Sequence, residues 1–361
     1  MISDKNNLDE LTRKTIETLK DNGNNLKDPS VFDLNYQPKK IFIRKEINAI
    51  LEQLGQYALW KIPKHIALIG PKGAGKTITI KTIAESLQRT QGLENIYINA
   101  RETQTSYKIY QEITKHYTKG PDLSEMRAKA LKRLTDHTLL IIDEVDFLKD
   151  QDILYTVTRE TKTTLILLTQ KLSWIKNLKD ESVASSLQPQ LITFNQYTPQ
   201  ELSEILTMRA EEGLYQFDPG SINLISALVA RNYRGDTRIA IKTLERIGYR
   251  NQWNEEEIYK ALEEAYNELE GTILRGLSPR DLEILLIISK TPESNKAYLI
   301  AKQSTYARNI SRPTFLQALN HLQNLDLIML TKKRVGKSNT QEAEILLNNK
   351  DLIEKIASEK L

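Results

Sequence analysis

The chain has no cysteine, only four histidines and three tryptophans among its 361 residues. Without cysteine there is no disulfide, no thiolate metal site and no thiol nucleophile. The histidines, at positions 65, 116, 137 and 321, do not cluster, which argues against a zinc site. No apolar run approaches the ~18 residues of a membrane span. The polar opening, MISDKNNLDELTRK, has no apolar centre of the kind a secretory signal needs. A cytoplasmic protein with no membrane partner is the expectation.

Neither charge sign dominates: 51 Lys and Arg stand against 47 Asp and Glu, a net +4. The surplus is unevenly placed. Residues 277–361 carry 13 basic and 9 acidic residues, and the rest of the chain balances to zero. A basic last quarter fits either a polyanion partner there or a merely solvated face.

What is present is a rhythm. HIALIG (65–70), NIYINA (95–100), TLLIIDE (138–144), TLILLTQ (164–170) and QLITFN (190–195) are short continuous apolar runs. Runs of this kind suit strands buried on both faces. Helical patterns between them give βαβ units and a parallel sheet. After Asn195 the strands stop. Thr198, Pro199 and Glu201 supply an N-cap, a first-turn proline and a capping-box partner. Helical patterns follow at about 199–213, 219–231, 236–248 and 254–270. GTILRGLSPRD (271–281) reads as a linker. Residues 1–36, with a weak helical pattern at Leu8, Leu11, Ile16 and Leu19, read as a loosely held arm. The domains expected are an arm (1–36), an α/β core (37–195), an all-helical unit (196–270) and a third unit (277–361).

Gly70, Gly75, Lys76 and Thr77 match G-x-x-x-x-G-K-[ST], placed between an apolar run and a helical pattern. Gly70, Pro71, Lys72, Gly73, Ala74, Gly75, Lys76, Thr77 and Ile78 form the expected phosphate loop. Its backbone N–H groups would curl around phosphates at the positive end of a helix. Lys76 would reach the β- and γ-phosphates of ATP or ADP, and the Thr77 hydroxyl would bind Mg²⁺. The run LLIIDE then delivers Asp143 as a second Mg²⁺ residue, with Glu144 placed to orient or deprotonate a water.

This order of motifs resembles an AAA+ ATPase. More narrowly, it resembles the archaeal replication initiators related to the origin recognition complex and its cell-division-control cousin. IYINARETQTSYKIYQEI (96–113), DEVDFLKDQDILYTVTRE (143–160), the stretch from LSWIKNLKDESVASSL into the helix after Thr198, and ARNYRGDTRIAIKTLERIG (230–248) carry the likeness, which spans roughly residues 30–350. The resemblance implies a P-loop AAA+ core with a parallel sheet, an all-α lid and a C-terminal winged-helix domain. It implies that Arg238, in GDTR, reaches from the lid to the γ-phosphate, and that Gln170 fills the position usually held by a sensor asparagine. It also implies a helix at about Asp152–Arg159 that touches DNA in such initiators, although DQDILYTV carries little positive charge.

One departure bears on activity. The family's arginine that projects into a neighbouring subunit's nucleotide site is replaced by Ser182. An arginine finger is worth ~10³–10⁵ in rate, and a hydroxyl does not replace it. Slow hydrolysis is expected, unless another arginine takes the role.

In the last unit, SPRDLEILLIIS and ISRPTFLQALNHLQNL are amphipathic helices, the second with Phe315, Leu319 and Leu322 as its buried stripe. DLIMLTK and EAEILLN are β-prone runs joined by KKRVGKSNTQ. Two helices and a ribbon with a basic tip make a winged helix, whose recognition helix enters the major groove. Arg312, Thr314, Gln317, Asn320 and His321 lie on the exposed side of that helix. Amide and guanidinium side chains suit base edges, whereas His321 taken alone suits surface packing better. Lys332, Lys333, Arg334 and Lys337 on the wing suit phosphates.

The expected function is ATP-regulated binding of double-stranded DNA in the manner of an archaeal origin initiator, associated with the nucleoid. Through the resemblance alone, replicative helicase and initiator paralogues are expected partners. A transcription regulator or origin repressor on the same scaffold, and a DNA motor, stay open as alternatives.

Overall fold

The computed structural model describes residues 10–17, 25–117, 120–176, 178, 181–335, 338–347 and 349–361. The chain divides into two compact units, Met1–Ile258 and Tyr259–Leu361. Among the described residues no helix is long and apolar enough to cross a membrane.

The first unit is built on five parallel strands: β1 (Ile66–Ile69), β2 (Glu94–Asn99), β3 (Thr138–Asp143), β4 (Thr164–Thr169) and β5 (Gln190–Thr193), in the order β2-β3-β4-β1-β5. These are the five runs read from the sequence. Register follows directly, with Leu68 beside Leu168 on one side and Ile192 on the other. Alternation along each strand splits the apolar residues between two cores. Leu139, Ile141, Ile166 and Leu168 face helices α1 (Lys45–Trp60) and α2 (Lys76–Gln91). Leu140, Ile142, Leu165 and Leu167 face the other layer. That layer contains α3 (Ala100–Thr103), α4 (Ser106–Thr114), α5 (Leu123–Leu131), α6 (Asp152–Glu160), α7 (Leu172–Lys176) and α8 (Glu181–Leu187). Because both faces are covered, the central strands β1, β3 and β4 are buried throughout rather than alternating, whereas the edge strands β2 and β5 are partly exposed.

Three lid helices complete the unit: α9 (Pro199–Gly213), α10 (Pro219–Asn232) and α11 (Thr237–Arg250). Each starts on a side-chain cap. Thr198 and Glu201 form a reciprocal capping box, and Asp218 and Asp236 accept from the backbone at Ser221 and Arg238.

Two readings of the sequence change here. Residues 25–36 are not loosely held. Leu26 pairs antiparallel with Leu214, Lys27 N donates to Gly213 O at 2.8 Å, and Val31 and Phe32 are fully buried. The local sequence is polar and weakly patterned, so its apolar contacts become legible only once the lid is folded. Of the four residues of the weak helical pattern, Leu11 and Ile16 lie in an exposed helical stretch at 10–17; Leu8 and Leu19 lie outside the described residues. The stretch 271–281 is not a linker throughout, because helix α12 (Glu255–Gly276) runs through Gly271 to Gly276. A helical glycine costs only about 1 kcal/mol, which burial of Leu274 offsets.

The second unit contains α13 (Pro279–Lys290), α14 (Ser294–Ala301), α15 (Arg312–Asn324), an antiparallel ribbon of β6 (Ile328–Val335) and β7 (Ser338–Ile345), and α16 (Asp351–Lys360). Ala343 N donates to Pro292 O at 2.8 Å, and Glu293 bridges Glu342, so a third short segment joins the ribbon. Helices followed by this ribbon are a winged helix. Phe315, Leu319 and Leu322 are fully buried, as their spacing predicts.

Candidate functional site

The site grows from the carboxyl ends of the central strands, where open α/β sheets collect their ligands. The chain leaves β1 at Ile69 and curls into a loop before α2. Gly73 and Gly75 hold φ near +70° and +81°, conformations that side chains rarely adopt. Space demands glycine as well. A methyl group on Gly73 would collide with the Asp236 carboxylate, and one on Gly75 with the Tyr197 hydroxyl. Lys76 is nearly buried, and its Nζ donates to Gly70 O at 2.6 Å and Pro71 O at 2.9 Å.

The strand β3 brings Asp143 to the same edge. The Thr77 hydroxyl donates to Asp143 Oδ2 at 2.6 Å, and the Tyr97 hydroxyl, from β2, donates to the same oxygen at 2.9 Å. Burial, aided by Asp143, pushes the Tyr97 phenol well above its ordinary range. Glu144 follows with φ 52°, a strained position for a residue bearing a side chain. Its backbone N–H donates to Asp143 Oδ1 at 2.7 Å. Burial raises the Glu144 pKa above the ordinary carboxylate value, Arg101 and Lys72 pull it back, and Asp143 adds to the rise. Gln170 follows β4, and its N–H is held by Asp146 at 3.1 Å. Burial raises the pKa of Asp146 too. Glu144 Oε2 and Gln170 Oε1 are both buried without a hydrogen-bond partner among the described residues.

These groups line one cavity of about 750 Å³. Lys72, Gly73, Ala74, Gly75, Lys76, Thr77 and Ile78 form one wall, while Gly70 and Pro71 lie beneath and give their carbonyls to Lys76. Asp143, Glu144 and Gln170 lie along the strand ends, and Arg238 enters from the lid. Thr237 Oγ1 donates to Gly73 O at 2.8 Å, joining the start of α11 to the loop. An apolar end is formed by Ile41, Phe42, Ile205, Met208 and Ile241. The composition suits a nucleotide: apolar surface for a base, a glycine cradle and a lysine for phosphates, and two unmatched buried acceptors beyond. The Thr77 and Asp143 oxygens suit Mg²⁺, which takes few protein ligands and keeps its waters. Among the described residues no group of three or more acidic or histidine side chains would hold a metal alone.

Sequence reasoning missed several contributors. Tyr97 was legible only as an apolar residue of β2. Arg44 gave no local signal at all. It is buried, donates to Ala74 O and Asn195 O at 3.2 Å, and lies 4.4 Å from the Tyr197 ring centre. It thereby ties the chain ahead of α1 to the phosphate loop. Ser182 is exposed on α8, with Arg159 Nη2 3.5 Å from its carbonyl and 3.4 Å from Ser185 Oγ. Helix α6 rests its acidic residues on Arg127, which pairs with Asp152 at 3.6 Å and with Glu160.

In the second unit, Gln317 and Asn320 are exposed on α15. Arg312 donates to Asn295 and lies 4.9 Å from the Tyr298 ring centre. Thr314 meets the capping Ser311 at 2.8 Å, and His321 Nδ1 lies 3.1 Å from Asp281 Oδ2. The backbone of Lys332, Lys333 and Arg334 belongs to β6, opposite Gln341, Thr340 and Asn339, so the ribbon extends further than the two β-prone runs. Their side chains, and the whole of Lys337, lie outside the described residues.

Residues 62–173 match the family described as AAA domain. The ORC1-type DNA replication protein of Pyrococcus furiosus is 30% identical over 77% of this chain and 73% of its own length. Its counterpart in Thermococcus kodakarensis is 27% identical over 89% and 88%. The structure of the Aeropyrum pernix ORC1 protein in complex with DNA superposes with a TM-score of 0.73 at 25% identity, covering 93% of this chain and 97% of that one. With an AAA+ core, a helical lid and a winged helix on one chain, this protein belongs to the ORC1-type DNA replication protein family.

Proposed function

We propose that this chain is an ATP-regulated initiator that binds double-stranded DNA through its winged helix and hydrolyses ATP slowly. The observation that carries the nucleotide half is the single cavity in which the glycine loop, Asp143, Glu144, Gln170 and Arg238 meet. Lys76 would hold the phosphates, and Thr77 with Asp143 would hold Mg²⁺, which supplies charge neutralisation between the phosphates. Glu144 would orient a water, with Gln170 as its second partner and Arg238 bound to the terminal phosphate. The DNA half rests on the basic winged helix and on family membership. Gln317 and Asn320 would read base edges, and the wing lysines and Arg334 would meet backbone phosphates. Recruitment of a replicative helicase and pairing with related initiators are carried over from the family.

Mapping bound DNA across the genome tests this reading. Sites concentrated where replication starts would support it, whereas sites spread over promoters would replace it with a transcription regulator. Ser182 favours slow turnover in particular. Ser182→Arg in the assembled protein on DNA should raise ATP turnover, and an unchanged rate would refute that account of the position.

A further inference from the structure

Arg238 is hydrogen-bonded by a carboxylate two positions before it. Asp236 accepts from Arg238 Nε at 3.0 Å through Oδ1 and from Nη2 at 2.5 Å through Oδ2. This is a side-on, two-pronged clamp, the geometry in which a planar guanidinium is held most firmly. The same Oδ1 accepts the Arg238 backbone N–H at 2.9 Å and so caps α11. The carboxylate is also wedged against the phosphate loop, filling the space that a side chain on Gly73 would need. Thr237 adds a second link, from its hydroxyl to Gly73 O. Arg238 lines the cavity, while the Asp236 carboxylate packs on the loop at Gly73.

We propose that Asp236 is the positioning residue for Arg238: it fixes the guanidinium relative to Gly73 so that its end edge meets the terminal phosphate of ATP. The proposal rests on the nucleotide reading of the cavity. A guanidinium forks in two directions, and a carboxylate holding Nε and Nη2 fixes where the other edge points. Since Asp236 is packed on Gly73, the aim of Arg238 is referred to the loop that holds the phosphates rather than to the lid alone. Preorganisation of this kind strengthens only contacts that the correct ligand makes. Its effect falls on ATP, which has the terminal phosphate, and not on ADP.

Asp236→Asn tests this in the full-length protein. Asparagine caps a helix about as well as aspartate, but it offers one acceptor oxygen where the clamp needs two. ATP and ADP affinities are measured with Mg²⁺, alongside melting temperature without nucleotide. The expected result is a loss of ATP-over-ADP preference of about tenfold, the scale of one charge-assisted hydrogen bond. ADP affinity and melting temperature should stay close to those of the unaltered protein. Arg238→Ala should lose the preference to a similar degree, and the double variant should be no worse than Arg238→Ala. An unchanged preference in Asp236→Asn would overturn the proposal. So would multiplying effects of the two variants, or equal losses for ATP and ADP together with a lower melting temperature, which would mark Asp236 as a helix cap only. If Arg238→Ala itself leaves the preference intact, the assignment of Arg238 to the terminal phosphate fails, and the proposal fails with it.

Discussion

The Thr77 hydroxyl and the Asp143 carboxylate, 66 residues apart in sequence, are joined by a 2.6 Å hydrogen bond. One closes the phosphate loop and the other ends β3. In the function proposed above these two oxygens would hold Mg²⁺, with phosphate and water completing its shell. Thr77→Ala and Asp143→Asn should therefore make nucleotide binding insensitive to Mg²⁺. Lys76→Ala should weaken it about 100-fold or more, since a buried amine on phosphate is worth several kcal/mol at the scale of 1.4 per decade. Titration of a fluorescent nucleotide with and without Mg²⁺ separates the two effects. Retained affinity in Lys76→Ala would remove the phosphates from this loop.

Glu144 should make the first unit sensitive to pH in a definite direction. Burial raises its pKa above the ordinary 4.5. A raised pKa favours the folded chain while the carboxyl is protonated, and that advantage fades as pH rises through the folded-state value. Glutamine imitates the protonated form. Glu144→Gln should therefore melt higher than the unaltered protein at neutral pH, with the gain shrinking as pH falls to about 4.5 and below. The same variant should bind ATP and stop hydrolysing it. Arg101→Ala removes a positive charge that favours the carboxylate, so the acid limb of the turnover profile should move to higher pH. Melting curves across a pH series, and turnover rates in the same buffers, check both signs.

In the second unit one carboxylate gathers the turn at 304–307. Glu283 accepts from the N–H groups of Thr305, Tyr306 and Ala307, and from the Ser304 hydroxyl. Burial opposes its ionisation, but these four bonds outweigh burial and lower its pKa. Glu283→Ala leaves the buried Ala307 N–H unmatched and releases the half-buried N–H groups of Thr305 and Tyr306, and should cost about 1–3 kcal/mol in urea unfolding of this unit. Because the folded pKa is depressed, the contribution is present above the ordinary 4.5 and is lost as pH falls through the lower folded value. Equal stability of Glu283→Ala and the unaltered protein at pH 7 would refute this role.

On DNA, the two halves of the winged helix should separate by their salt response. Removing the charges of Lys332, Lys333 and Arg334 together should flatten the slope of log affinity against log salt by about 2–3, near 0.9 for each phosphate contact. Replacing Gln317 and Asn320 by alanine should leave the slope unchanged and reduce preference between DNA sequences by about 1–3 kcal/mol for each base pair read. Filter binding across a salt series on a matched and a scrambled duplex distinguishes them. An unaltered slope in the triple variant would mean that the wing faces away from the duplex.

Much of this was legible in one dimension, for local reasons. The central strands announced themselves because a sheet covered on both faces needs unbroken apolar runs there, and the helices because their caps and stripes are spaced by the helical repeat. That Lys76, Thr77, Asp143 and Glu144 meet at one edge was readable because the glycine loop and the β3 end both lie at the carboxyl ends of one parallel sheet. The two structural misreadings, at 25–36 and 271–276, came from weighing local polarity and glycine above contacts supplied from elsewhere.

The sequence by itself determined the order of the elements and the chemistry each strand end carries. Only the tertiary structure decided which groups meet. The strand order placed Tyr97 on Asp143. The lid put Asp236 against Gly73, and the chain ahead of α1 put Arg44 on the Ala74 carbonyl. Contacts of that kind depend on sheet order and on helix packing between residues far apart in sequence, 163 positions in the case of Gly73 and Asp236. A local pattern carries no information about them, because the free energy that selects them is gained only when both partners are buried together.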